Sequence, residues 1–146
     1  MIGSVLVVCV GNICRSPMAE ALLQQALQDT PEVLVSSAGL GALIDYPAAE
    51  HAEALMAERG LDISGHRARQ LTPDLINASD LILVMETGHK RAIGAQEPAA
   101  RGKIYRICEW QDKDVSDPVG QPREAFEKAL QLIEIGVQDW VEKIKA

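Results

Sequence analysis

The sequence predicts an α/β fold in three layers, a central four-stranded parallel sheet with helices on both faces. Three observations predict it. Short valine- and leucine-rich runs alternate with longer segments of helical period along the chain. The apolar runs are continuous, as in strands covered on both faces. The 146 residues amount to one domain, 1–146, with no linker, internal repeat or low-complexity tract.

The elements follow in order. Ser4 to Val8 reads as a buried strand, and Gly11-Asn12 turns the chain. Ser16-Pro17 opens a helix with proline in its first turn, and Met18, Leu22, Ala26 and Leu27 keep helical spacing until Pro31. Val33 to Ser37 is a second strand, ended by Gly39 and Gly41. A second helix runs from about Ala48 to Arg59 with Gly60 as its stop, and Thr72-Pro73 opens a short third. Leu81 to Met85 is the next strand, and the polar segment around His89 to Gln96 reads as helical. Ile104 to Ile107 carries the least strand signal. After a loop from Glu109 to Gly120, Phe126, Leu130, Ile133, Val137, Val141 and Ile144 hold a 3.6-residue period to the C-terminus.

Composition excludes several classes. The five aromatic residues leave a core of Ala, Val, Leu and Ile. A chain of this length buries roughly two-thirds of its unfolded surface, so it needs neither disulfide nor metal to fold. The net charge of −7 with no Lys/Arg run excludes nucleic acid and anionic membranes as partners. Met1 to Cys14 has no basic flank and is too short to span a bilayer, so a soluble cytoplasmic protein is expected. Three cysteines cannot form a closed disulfide framework, and the spacing of Cys9 and Cys14 fits no usual zinc pair. No metal or cofactor is expected.

The chemistry sits at Cys9-Val10-Gly11-Asn12-Ile13-Cys14-Arg15-Ser16-Pro17. A thiol, five residues and an arginine lie between a strand end and a helix start, the edge at which such sheets bind ligands. Successive backbone N–H groups in such a loop form an anion-binding nest, and the helix N-terminus adds partial positive charge. Arg15 forks onto two oxygens of an oxyanion. The same field favours Cys9 as thiolate. A thiolate in a phosphate cradle attacks phosphorus and forms a phosphocysteine. Cysteine is also an ordinary buried residue, but its placement between an apolar strand and a Ser-Pro helix start favours chemistry.

Expelling an alkoxide or phenoxide calls for a general acid. The late loop supplies Glu109, Asp112, Asp114 and Asp117. Asp112 and Asp114 read as a solvated acidic loop. Asp117 is favoured over its neighbours because Pro118 biases it toward extended backbone. A carboxylate beside a dianion is also favoured in its protonated form, as an acid requires.

Taken in order, the Cys9 to Pro17 loop, Ser36-Ser37-Ala38-Gly39, Gly65 to Leu71, the Leu81 to Glu86 run and Ser116-Asp117-Pro118 resemble the low-molecular-weight protein tyrosine phosphatases. The acidic loop resembles the bacterial branch that partners tyrosine autokinases in exopolysaccharide export. The resemblance implies that Cys9 is the nucleophile and that Arg15 holds the phosphoryl oxygens. Asp117 would act as acid and then base. Val10, Gly11, Asn12, Ile13, Cys14, Arg15 and Ser16 would bind the phosphate. It also implies a strained Asn12 braced through Ser16, Ser37 and His66. Without it, His66 reads as a surface histidine. Cys14 matches a second loop cysteine that forms a reversible disulfide with the nucleophile; a buried apolar filler is the other reading.

The rim departs from the family. Leu43 and Val119 stand where many relatives carry aromatic residues, so two walls are aliphatic, and Val119 cannot be phosphorylated. Leu40 and Tyr46 are expected at the same entrance. Ala49 replaces an acidic helix cap. The implied partner is a phosphotyrosine protein, a tyrosine autokinase, for a monomer or weakly self-associating chain. The rivals are an arsenate reductase of the same fold, a phosphocysteine carrier and an inactive phosphotyrosine-binding module. The first needs two further relay cysteines, whereas Cys108 stands alone. A carrier has no need of Arg15 and Asp117 together, and an inactive module no need of an intact Cys9, Arg15 and Asp117.

Overall fold

The computed structural model describes residues 1–146. Four strands, β1 (Ser4–Cys9), β2 (Leu34–Gly39), β3 (Leu81–Val84) and β4 (Ile104–Arg106), form one sheet in the order β2-β1-β3-β4. Every pairing is parallel. The helices are α1 (Arg15–Ala26), α2 (Glu50–Glu58), α3 (Pro73–Ala78), α4 (Thr87–Gln96) and α5 (Arg123–Lys145). A 3-10 turn over Pro98–Lys103 leads into β4. The predicted four-stranded parallel sheet is the one observed.

Alternation along β1 and β3 makes the three layers. Val5, Val7, Cys9, Leu81 and Leu83 face a core shared with α1, α2 and α5. Leu6, Val8, Ile82, Val84 and Ile104 face a smaller core closed by α3 and α4. Both faces are covered, which is why these strands read as unbroken apolar runs.

Helix ends differ from the sequence expectations by a residue or two, the usual latitude of frayed termini. The buried stripe of α1 is Met18, Ala19 and Leu23, with Leu27 just past its end; the expected Leu22 is half-buried and Ala26 exposed. On α5, Trp140 and Gly136 join the stripe and Val141 is half-buried. The Trp140 ring N–H donates to the Ile107 carbonyl (3.0 Å), and a Cβ at residue 136 would overlap that same carbonyl. Close approach of backbone to backbone therefore demands glycine there. Ala49 sits at the N-terminus of α2 without a side-chain cap, whereas Thr72 caps α3 through the Leu75 N–H.

With β1 flanked by β2 and β3, the carboxyl end of β1 is the switch point of the sheet. Cys9 is its last residue.

Candidate active site

Between β1 and α1 the backbone is turned inside out. The carbonyls of residues 9 to 14 each accept from outside the loop's own path. Leu40 N–H donates to Cys9, Gly41 to Val10, Leu43 to Gly11, Ala49 to Ile13 and Met18 to Cys14. His66 Nε2 supplies the bond to the Asn12 carbonyl, at 2.7 Å. None of the N–H groups from Val10 to Ser16 donates to a protein acceptor. Such unpaired donors are rare, and a run of them is an anion nest. A Cβ at Gly39 would overlap the Val10 carbonyl oxygen, so only glycine lets β2 end this close to the loop.

Asn12 holds that shape. It lies in the left-handed region (φ 59), which asparagine tolerates better than most residues. Its Oδ1 accepts from the Arg69 N–H (2.9 Å), which fixes the amide's direction. Nδ2 then donates to Ser16 Oγ (2.7 Å) and Ser37 Oγ (3.0 Å). Ser37 passes its own hydrogen to Glu20 (2.5 Å), and the Ser37 carbonyl accepts from Arg69 Nε. Ser16 Oγ lies 2.9 Å from Cys9 Sγ, within hydrogen-bonding reach of the sulfur.

Arg15 is 1% exposed. Nη1 spends its two hydrogens on Glu86 Oε2 (2.5 Å) and the Val115 carbonyl (2.6 Å). Nε and Nη2 have no hydrogen-bond partner, and Nη2 lies 3.5 Å from Asp117 Oδ2. Each unpaired buried donor costs roughly 1–3 kcal/mol, a cost that an oxyanion ligand removes.

Asp117 stands across a cavity of about 190 Å³ lined by Cys9, Val10, Gly11, Ile13, Cys14, Gly41, Leu43, Asp117 and Val119. Leu43 and Val119 thus reach the expected entrance. Leu40 and Tyr46 do not. Leu40 is drawn onto the smaller core behind the sheet, and Tyr46 is exposed outside the lining. Asp114 is not free in solvent either. It accepts from the Thr87 N–H (3.1 Å) at the start of α4 and from Arg106 Nη1 (3.1 Å), which hold its carboxyl below the usual range despite burial. Asp112, exposed itself, pairs with Arg106 Nη2 (2.5 Å). Three residues before Asp117, the acid loop is therefore pinned.

Burial, with the Cys9 and Asp117 charges behind it, pushes the Cys14 thiol up to about 12 against a smaller pull from Arg15. Burial likewise pushes Cys108 up to about 11, and its Sγ points to the Leu132 carbonyl. Both are thiols at neutral pH.

Residues 4–146 match the model of the family described as low molecular weight phosphotyrosine protein phosphatase. The chain belongs to that family. It is 53% identical over 146 residues to a Ralstonia solanacearum protein named a probable low molecular weight protein-tyrosine-phosphatase, EpsP, covering 100% of this chain and 99% of the relative. The crystal structure of the tyrosine phosphatase Wzb from Escherichia coli K30 in complex with sulphate superposes with a TM-score of 0.92 at 41% identity, covering 99% of both chains. The YwlE arginine phosphatase from Geobacillus stearothermophilus superposes with a TM-score of 0.89 at 35% identity, over 97% of this chain and 92% of that one.

Within this phosphatase, sequence reasoning missed the supports. Glu20, Arg69, Glu86, His89 and the donors of residues 40–49 were assigned no role. Arg69 and Glu86 lie in runs that match the family, so a signal existed; Glu20 lies on an ordinary amphipathic helix and gave none.

Proposed function

We propose that this phosphatase hydrolyses phosphotyrosine in proteins through a phosphocysteine on Cys9. Arg15 and the N–H groups of residues 10–16 hold the three non-bridging oxygens as charge builds on them. Cys9 attacks phosphorus in line, and Asp117, protonated, gives its hydrogen to the departing phenolic oxygen. Asp117, now a carboxylate, takes a proton from water as that water attacks the phosphocysteine. The thiolate and inorganic phosphate are released. Asn12, Ser16, Ser37 and His66 keep the loop in shape and take no proton in the cycle.

The observation that carries this reading is the run of unpaired N–H groups from Val10 to Ser16 around Cys9. The lining supports a phenyl ring over a guanidinium group, because Ile13, Leu43 and Val119 are aliphatic and Asp117 is the one carboxylate there. A relay-type arsenate reductase is disfavoured because Cys108 is buried and held as a thiol. The physiological substrate is taken to be a tyrosine autokinase of exopolysaccharide export, on the resemblance of the acidic loop and the full-length similarity to EpsP.

A cytoplasmic location fits the three unpaired thiols, and no helix is long and apolar enough to cross a membrane. In a redox role, Cys9 is first oxidised to a sulfenic acid by peroxide. The Cys14 thiol then displaces water to form the disulfide.

Aryl phosphate turnover tests the assignment. Cys9→Ser abolishes it, and Asp117→Ala slows a poor leaving group about 10²- to 10⁴-fold. Wild-type rates in Cys9→Ser contradict it.

A further inference from the structure

We propose that Glu86 is a positioning residue that aims Arg15 at the phosphoryl group. The proposal rests on the reading of Arg15 as the phosphoryl-holding side chain.

The geometry divides the guanidinium in two. Glu86 Oε2 and the Val115 carbonyl take both hydrogens of Nη1, and Nε and Nη2 remain without hydrogen-bond partners, with Asp117 Oδ2 in ion-pair contact at 3.5 Å from Nη2. A guanidinium is a planar fork, so fixing one nitrogen at two points fixes the plane of the other two. The free edge is Nε with Nη2, the edge that binds two oxygens of one oxyanion side by side.

Glu86 is free to do this because it is not spent elsewhere. It occupies the N-cap position of α4, yet its side chain makes no capping bond; its backbone carbonyl accepts from the His89 and Lys90 N–H groups instead. Its two charge contacts are Arg15 and, at 3.5 Å, His89 Nε2. His89 is buried, and burial with the Arg15 charge holds it below its ordinary value against weaker pulls from Glu86, Asp114 and Asp117. At neutral pH, Arg15 is therefore the one cation that Glu86 pairs with.

The other Nη1 acceptor ties this aim to the acid loop. Val115 lies two residues before Asp117, and its N–H donates to the Met85 carbonyl beside Glu86. Glu86 and Val115 thus grip Arg15 from the end of β3 and from the loop that carries Asp117, and neither lines the cavity at Cys9.

The test measures kcat, KM and inhibition by inorganic phosphate for Glu86→Gln and Glu86→Ala, in wild-type and Arg15→Lys backgrounds, with thermal melts of each. Glu86→Ala is expected to weaken phosphate binding and lower kcat/KM about 10- to 100-fold, the scale of a misaimed catalytic group. Glu86→Gln, which keeps an oxygen acceptor for Nη1, recovers most of that loss. In Arg15→Lys, which has no fork to aim, Glu86→Ala costs less than threefold further. Phosphate inhibition and kcat/KM within twofold of wild type in Glu86→Ala overturn the proposal. So does an equal loss in both backgrounds, which gives Glu86 a role independent of Arg15. If Arg15→Lys itself turns over like wild type, the reading of Arg15 falls and this one with it. An impaired Arg15→Lys beside a normal Glu86→Ala removes only this proposal.

Discussion

At residue 12 the chain enters the left-handed region with an asparagine, and the two properties of that side chain are used separately. Its tolerance of φ 59 lets the loop reverse, and its amide orders the hydroxyls of Ser16 and Ser37. Substitution separates the two. Asn12→Gly keeps the backbone and loses the amide, whereas Asn12→Ala loses both. Turnover is expected to fall in each, and urea denaturation should find Asn12→Ala less stable than Asn12→Gly by about 1 kcal/mol. Equal stabilities would show that the backbone conformation at residue 12 is not the constraint. Arg15 follows the same economy: one nitrogen is anchored so that two stay free.

At the scale of elements, the cradle, Glu86 and Asp117 come from three loops that the sheet brings to one edge. The cradle follows β1, Glu86 follows β3, and the acid loop returns from β4 before α5 begins. What locks the third to the second is Asp114, bonded to the Thr87 N–H at the head of α4. Asp114→Ala removes that bond and the one to Arg106 together. Its expected effect is a loss of about 1 kcal/mol, the size of a helix-cap bond. A several-fold lower kcat should appear for phosphate esters with poor leaving groups, which depend on where Asp117 sits, and little change for good ones. Comparing the two ester classes checks this. A uniform loss across leaving groups would place Asp114 outside the control of the acid.

For the whole molecule, an acidic protein of net charge −7 carries the cradle proposed to hold a dianion. The two are reconciled because the cradle carries one charged side chain, Arg15, and draws its remaining positive potential from backbone N–H groups. Those groups leave no trace in a charge sum. The same fact sets how much was legible beforehand. Strands buried on both faces announce themselves as apolar runs, so the sheet and its order of appearance followed from local pattern. The loop could be found because Cys9, Arg15 and the helix start are contiguous. Leu40 and Tyr46 were misplaced because their positions depend on long-range backbone bonds without a residue signature, from the Leu40 N–H to the Cys9 carbonyl and from the Ala68 N–H to the Tyr46 carbonyl. Glu86 and Asp114 were missed for a related reason: each acts on a partner more than twenty residues away along the chain.

The covalent phosphocysteine proposed at Cys9 can be trapped. Asp117→Ala, mixed with an aryl phosphate whose leaving group needs no protonation, should form the intermediate quickly and hydrolyse it slowly. Acid quenching and peptide mass spectrometry should then find one added phosphoryl group on the peptide containing Cys9. Continued turnover with no phosphorylated Cys9 at any quench time would contradict it.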